Sequence, residues 1–449
     1  MRIRGFLVLI ASTLLIVVSP MTTLAQNRAG FAYYVLLDLP MSGQVRFIDF
    51  ADPVPETQVI DLPIESNWSV PTLPILSADG VWIAYAPSIE SADSVPYLRL
   101  LNIETGEIRD LDSGYVLDMA WSPDSHSLAI SRRLSVSQQF DVFIYAIESD
   151  TERNVSNDGL AHPEIAWSAN SEKLVLSTLS CPDIEHCVSR IQVISLDADL
   201  RQSSQNFLDF VPIGAESCKL EWSPDNRFIS FVLGCNASAD VAREVFLWDT
   251  NTEQLMQLTN FTTPAYEPGG MRVSPGSYEI LWYDANTLLI SAFYGLPTEQ
   301  TMNQMTYIYR VNAADLQPLF DGYVFEWLLN PFAGQIVANR ATPHDIYSQP
   351  IIQDLSFVPG ITLLTLNDTG ARSEVVDINR FDLPDGCNFH WSPDGTTLAY
   401  SIPPMGCPDL NTEQFVFVDA ATGEYSEFTP TLPDGSTPLL VVPLGWVAR

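Results

Sequence analysis

His162, His186 and His344, with Glu164 two residues past the first of them, are the side chains whose types could do chemistry in this chain. Neutral imidazoles and a carboxylate suit a divalent cation that also polarises a substrate oxygen. His162, Glu164 and His186 are therefore one candidate metal set. Three solvated loop histidines are the simpler account, so neither a metal nor a cofactor is expected. His126 falls in a tight turn and His390 stands beside Trp391. The motifs GxSxG, HExxH and GxxxxGK[ST] are missing from the 449 residues, so no catalytic residue is assigned from a motif. Tyr266, Phe293, Tyr294, Tyr347 and His344 form the candidate binding set. They fall in long connections beside prolines, and aromatics placed so suit contact with a protein or a glycan.

Six cysteines fall in close pairs, Cys181 with Cys187, Cys218 with Cys235 and Cys387 with Cys407. None of the pairs has CxxC spacing, which favours disulfides over a metal site. The pairing itself is inferred from proximity, since six cysteines allow fifteen connectivities. The N-terminus agrees with an oxidising compartment. Arg2 and Arg4 precede an apolar run from Gly5 to Val18, Pro20 breaks it, and Thr23-Leu24-Ala25 offers small residues for cleavage. This reads as a signal peptide over residues 1–25, leaving a single domain over 26–449. A membrane helix would need ~20 apolar residues, more than this run supplies. Export to the periplasm, cell surface or medium is expected, with no integral membrane segment afterwards. The net charge of −34, with Lys173 and Lys219 the only lysines, repels phosphate backbones and argues against nucleic acid as a partner.

A short phrase positions these residues. WSPDS begins at Trp121, WSPDN at Trp222 and WSPDG at Trp391; looser copies begin at Leu76, Trp167, Trp282 and Trp327, and Trp446 stands alone near the end. The copies lie 45 to 64 residues apart, a spacing that indicates a propeller or related array. Ser-Pro-Asp-Gly is turn chemistry: Pro fixes φ early in the turn, and Gly or Asn tolerates the left-handed residue that closes it. Alternating strands follow, as in Leu-Ala-Tyr-Ser at 398–401, and then a second hairpin such as QFVFVDAATGEYSEF at 414–428. Each unit therefore predicts four antiparallel strands, A to D, with the aromatic packing between neighbouring sheets.

The phrase followed by its second hairpin resembles the TolB-like propeller repeat, a relative in style of tryptophan–aspartate repeats, and the resemblance covers the whole chain after the leader. It implies an all-β propeller and is nearly silent about activity. TolB carries an α/β domain ahead of its propeller, and no such segment is read here. Seven units span about 72 to 440. GFAYYVLLDL, QVRFIDFAD and TQVIDLP read as three strands without a phrase, and PLLVVPLGWVAR as one strand with nothing after it. Sharing these ends would complete an eighth blade and remove exposed edges, so eight blades are expected, with seven as the alternative.

In this map the A–B and C–D turns are short, and the B–C and D–A connections are long. The long-loop face, which the three cysteine pairs would stiffen, is expected to carry the function. The primary expectation is an exported, monomeric, non-enzymatic propeller that presents this face to a protein or glycan partner at the cell envelope or outside the cell. The alternative is a carbohydrate-active hydrolase or lyase at the mouth of the central channel, marked by a convergent set of His, Glu and Arg.

Overall fold

A computed structural model describes residues 30–447 except 38–41, 51–55, 63–71, 87–97, 112–113, 134–139, 181–187, 198, 201, 210–216, 235–242, 262–276, 296–301, 325, 331, 341–359, 369–372, 380–382, 405–410 and 433–437. Thirty-two strands form eight four-stranded sheets, each antiparallel and each running in simple order from first strand to fourth. The first strands are Thr72–Leu76, Tyr115–Trp121, Ile165–Trp167, Ser217–Trp222, Ser277–Asp284, Glu326–Leu329, Cys387–Trp391 and Leu440–Val447, and they define blades 1 to 8. Neighbouring first strands pack against one another around the circuit, and between blades 4 and 5 Ser277–Asp284 packs on Phe228–Leu233 while the Lys219–Glu279 ion pair joins the two first strands, so the eight form the inner ring. Among the described residues the only helix is the 3-10 turn Val311–Ala313.

The chain is a β-propeller with eight blades, and the seven-bladed alternative is excluded. Blade 8 takes Leu440–Val447 as its inner strand and Gly30–Leu37, Ser42–Asp49 and Glu56–Leu62 as its outer three. The seal is a long antiparallel register in which Phe31 faces Trp446 and Leu36 faces Leu440.

The repeated phrase does what its chemistry predicts. Ser122, Ser223 and Ser392 donate through Oγ to the Asp two residues on, at 2.5–2.6 Å, and each Oγ accepts the backbone N–H five residues on at 2.9 Å. The residue after that Asp, or its equivalent, is left-handed at Gly80, Ser125, Ser171, Asn226 and Gly395. The turns also stitch blade to blade: the Asp79 N–H donates to Ser125 Oγ, the Asp124 N–H to Ser171 Oγ, and Asn330 Nδ2 to the Gly395 carbonyl. Tryptophan completes the stitching. Trp121, Trp167, Trp222 and Trp446 donate through Nε1 to the carbonyls of Ile75, Ala120, Ala166 and His390, each in the preceding blade. Apolar packing follows the same plan, since each hydrophobic cluster draws on two adjacent sheets. One joins Ala129, Val142 and Ile144 to Leu174, Leu176 and Ile194; another joins Phe31 and Tyr33 to Phe415 and Phe417.

Two connections are shorter than the sequence suggests. Strands Lys173–Ser180 and Val188–Leu196 leave 181–187 between them, and Thr287–Gly295 and Met302–Arg310 leave 296–301. The strand Thr287–Gly295 finds a partner on both sides, so the ladder runs on through Phe293 and Tyr294 to Gly295.

Candidate functional site

The inner strands gather the ionisable groups. Counting back three residues from the tryptophans of blades 2 to 5 gives Asp118, Glu164, Lys219 and Glu279; counting back one from those of blades 4, 6 and 7 gives Glu221, Glu326 and His390. In a regular strand positions three and one before the tryptophan share a side, and in blades 4 and 7 a bulge interrupts that alternation. Local irregularities help to aim them. The register shifts between Val116 and Asp118, between Cys218 and Glu221, and between Cys387 and His390, and Lys219 and Asn388 carry φ of 55° and 60° at these bulges.

Three of the carboxylates clasp the next blade. Asp118 Oδ2 accepts the Ile165 N–H at 2.8 Å, and Glu164 Oε1 accepts the Leu220 N–H at 2.9 Å. Glu326 accepts both the Asn388 N–H at 2.9 Å and the Phe389 N–H at 3.1 Å. Glu279 is paired with the Lys219 ammonium. Among the described residues Glu221 makes no such bond.

Electrostatics divides the set further. Burial raises the carboxyls of Asp118, Glu164, Glu279 and Glu326 above the usual range, against the pull of their N–H and Lys219 partners, and Asp118 reaches about 6. Glu221 is pushed to about 8, first by burial and then by the negative charge of Glu279 and Glu164, which Lys219 only partly offsets. It is a carboxylic acid that keeps its proton at neutral pH beside carboxylates that act as acceptors. Arg243, half-buried just ahead of strand Glu244–Asp249, stands within electrostatic range of Tyr278 and Tyr323. His390 is lowered to about 4 by burial and meets Phe31 edge-on, with ring centroids 5.7 Å apart.

The residues singled out from sequence are distributed differently. His162 is fully buried, with Nε2 3.1 Å from Asp158 Oδ1 and Nδ1 3.1 Å from Thr178 Oγ1, so the protein's own groups engage both ring nitrogens. Glu164 belongs to the inner ring, and His186 lies outside the described residues, as do Tyr266, His344 and Tyr347. Phe293 and Tyr294 are strand residues, in register with Gln304 and Asn303, and are not part of a loop. Cys218 and Cys387, on inner strands, are disulfide-bonded; Cys181, Cys187, Cys235 and Cys407 lie outside the described residues. No motif search finds the inner-ring acids, but the tryptophan register does, because a fixed offset from each repeat marks the channel.

No family model and no curated protein matches the chain. Solved structures similar to it include a prolyl endopeptidase, at 11% identity and TM-score 0.48 over 81% of this chain and 50% of that one. Oligogalacturonate lyase in complex with manganese is similar at 12% identity and TM-score 0.45, over 80% of this chain and 88% of that one. TolB from Acinetobacter baumannii is similar at 11% identity and TM-score 0.37, over 91% and 80%. The chain spans about half the length of the prolyl endopeptidase. The fold itself is shown by the eight four-stranded sheets, and it is a TolB-like β-propeller. The expectation of a non-enzymatic scaffold is corrected. Set against it, the similar structures include enzymes, a prolyl endopeptidase and an oligogalacturonate lyase. Among the described residues no helix is long and apolar enough to cross a membrane.

Proposed function

We propose that the protein is a carbohydrate-active enzyme, a hydrolase or lyase whose site is the inner ring at the mouth of the central channel. The observation that carries this reading is Glu221, with its carboxyl raised to about 8 and flanked by Glu279, Glu164 and Lys219. Cleaving a glycosidic bond needs one carboxyl that is protonated and one that is not, because the leaving oxygen must receive a proton while the other face is attacked or deprotonated. Glu221 is assigned the proton donor. Glu279, bonded to the Lys219 ammonium, is assigned the ionised partner, and Arg243 is assigned to substrate positioning. Peptide hydrolysis is disfavoured, because the sequence lacks a nucleophile elbow and the ring offers carboxyls where a serine triad is needed. Residues 1–25 act as the export signal, the local cysteine pairs form disulfides, and the substrate is met outside the cytoplasm.

The test is a panel of neutral, amino and acidic polysaccharides incubated with the chain from Gln26 onward. New reducing ends would report hydrolysis, and ultraviolet absorbance of an unsaturated product would report elimination. Glu221→Gln should reduce turnover by about 100-fold or more, the usual contribution of a general acid. Turnover of no glycan in the panel, or full activity in Glu221→Gln, would remove this reading.

A further inference from the structure

The short-turn face carries a cleft where blades 7 and 8 meet, with a volume of about 510 Å³. Its blade 8 wall is Phe50, 47% exposed, whose ring stands 4.7 Å from Phe417 and 5.5 Å from Trp446, centroid to centroid. Tyr425, 46% exposed, stands on the blade 7 side. Asp394, Asp419 and Glu424 supply the charged lining, beside serine and threonine hydroxyls, and among the described residues neither lysine nor arginine lines the cleft. Asp394 receives Ser392 and Thr396 on Oδ1, and Asp419 receives Ala421 and Thr422 on Oδ1. These bonds pin both carboxylates through Oδ1.

A sister cleft between blades 2 and 3 shows what the architecture supplies by default. It is about 410 Å³ and is built from the equivalent turns, with Asp124 and Ser127 in place of Asp394 and Thr397. Its lining has no aromatic ring other than His126, and it includes Arg153. The gap between turns therefore recurs, whereas the aromatic wall and the absence of a basic residue belong to the cleft at the seal.

From this we infer that the cleft between blades 7 and 8 binds a small organic cation of the quaternary-ammonium type, at a site separate from the channel. The face of an aromatic ring attracts a cation, and a weakly hydrated alkylammonium gives up water at low cost to reach it. Fixed carboxylates next to the rings supply the matching charge, and the volume lies in the range of small-molecule sites. An anionic ligand would meet three carboxylates and no counter-charge. The hydrogen bonds to Asp394 outweigh its burial, and those to Asp419 hold it low, so both carboxylates are ionised across the neutral range.

The experiment is calorimetric titration of the protein with choline, beside its neutral isostere 3,3-dimethyl-1-butanol, at low and high salt. Saturable choline binding is expected, about tenfold weaker in Phe50→Ala and several-fold weaker in Glu424→Gln, with the isostere failing to compete. Both substituted residues are exposed, so the variants should fold, and circular dichroism would verify this. Absence of choline binding, equal binding of the isostere, or unchanged affinity in folded Phe50→Ala would each overturn the inference.

Discussion

Glu221→Gln should stabilise the protein at alkaline pH and do almost nothing at pH 5. A glutamate whose native carboxyl titrates near 8, against an ordinary 4.5, holds a proton that the unfolded chain gives up between those two values. The native state then binds more protons than the unfolded state, so stability falls as pH rises through that window, and the loss is complete above about 8. At about 1.4 kcal/mol per pH unit the ceiling is roughly 5 kcal/mol. Relaxation of the surroundings around the ionised carboxylate reduces this to about half. With an unfolding entropy near 2 cal/mol/K per residue, a chain of this length shifts Tm by about 1 °C per kcal/mol. Differential scanning fluorimetry of the two proteins should therefore show Tm values that coincide at pH 5 and diverge by about 2–5 °C in favour of Gln at pH 9. Asp118 and Glu326, which take no part in the Glu221 shift, tilt both curves alike and drop out of the difference. A Tm difference that stays constant from pH 5 to pH 9 would show that Glu221 does not hold its proton, and the assignment of the acid would go with it.

Glu326→Gln should act in the opposite direction at neutral pH, costing about 2 kcal/mol, because one of the two backbone N–H groups held by its carboxylate would face an amide NH₂ instead; urea unfolding at pH 7 measures this. Gly395→Ala should cost about 1–3 kcal/mol in the same assay. Its φ of 70° disfavours any side chain, and a Cβ there would lie 2.6 Å from Asn330 Oδ1, in the bond that ties blade 6 to blade 7.

Much of this architecture is written locally. The Ser-Pro-Asp phrase specifies its turn through bonds that span only two and five residues, so its meaning survives in any blade. The count of eight follows from three strands at one end that lack a phrase and one strand at the other that lacks followers. The channel acids are equally periodic, at fixed offsets from Trp121, Trp167, Trp222 and Trp282, yet they match no catalytic motif, because eight separate stretches of chain supply one ring. What could not be read was the bulge at Lys219 and at Asn388. A left-handed lysine has no signature in composition, and it shifts the register of the inner strand that carries Glu221. The span of the strand through Phe293 and Tyr294 was equally hidden, since it depends on a ladder partner on each side.

The joint in blade 8 also sets a timetable. Phe31 and Trp446 meet across a separation of 415 residues, so the pairing that closes the ring is the slowest contact for the chain to find. Until it forms, the strand Gly30–Leu37 and the inner face of blade 7 present bare edges and apolar surface to any neighbouring chain. The molecule is therefore most vulnerable to aggregation late, when seven blades already stand, and crowding or a stalled C-terminus would do the most harm at that moment.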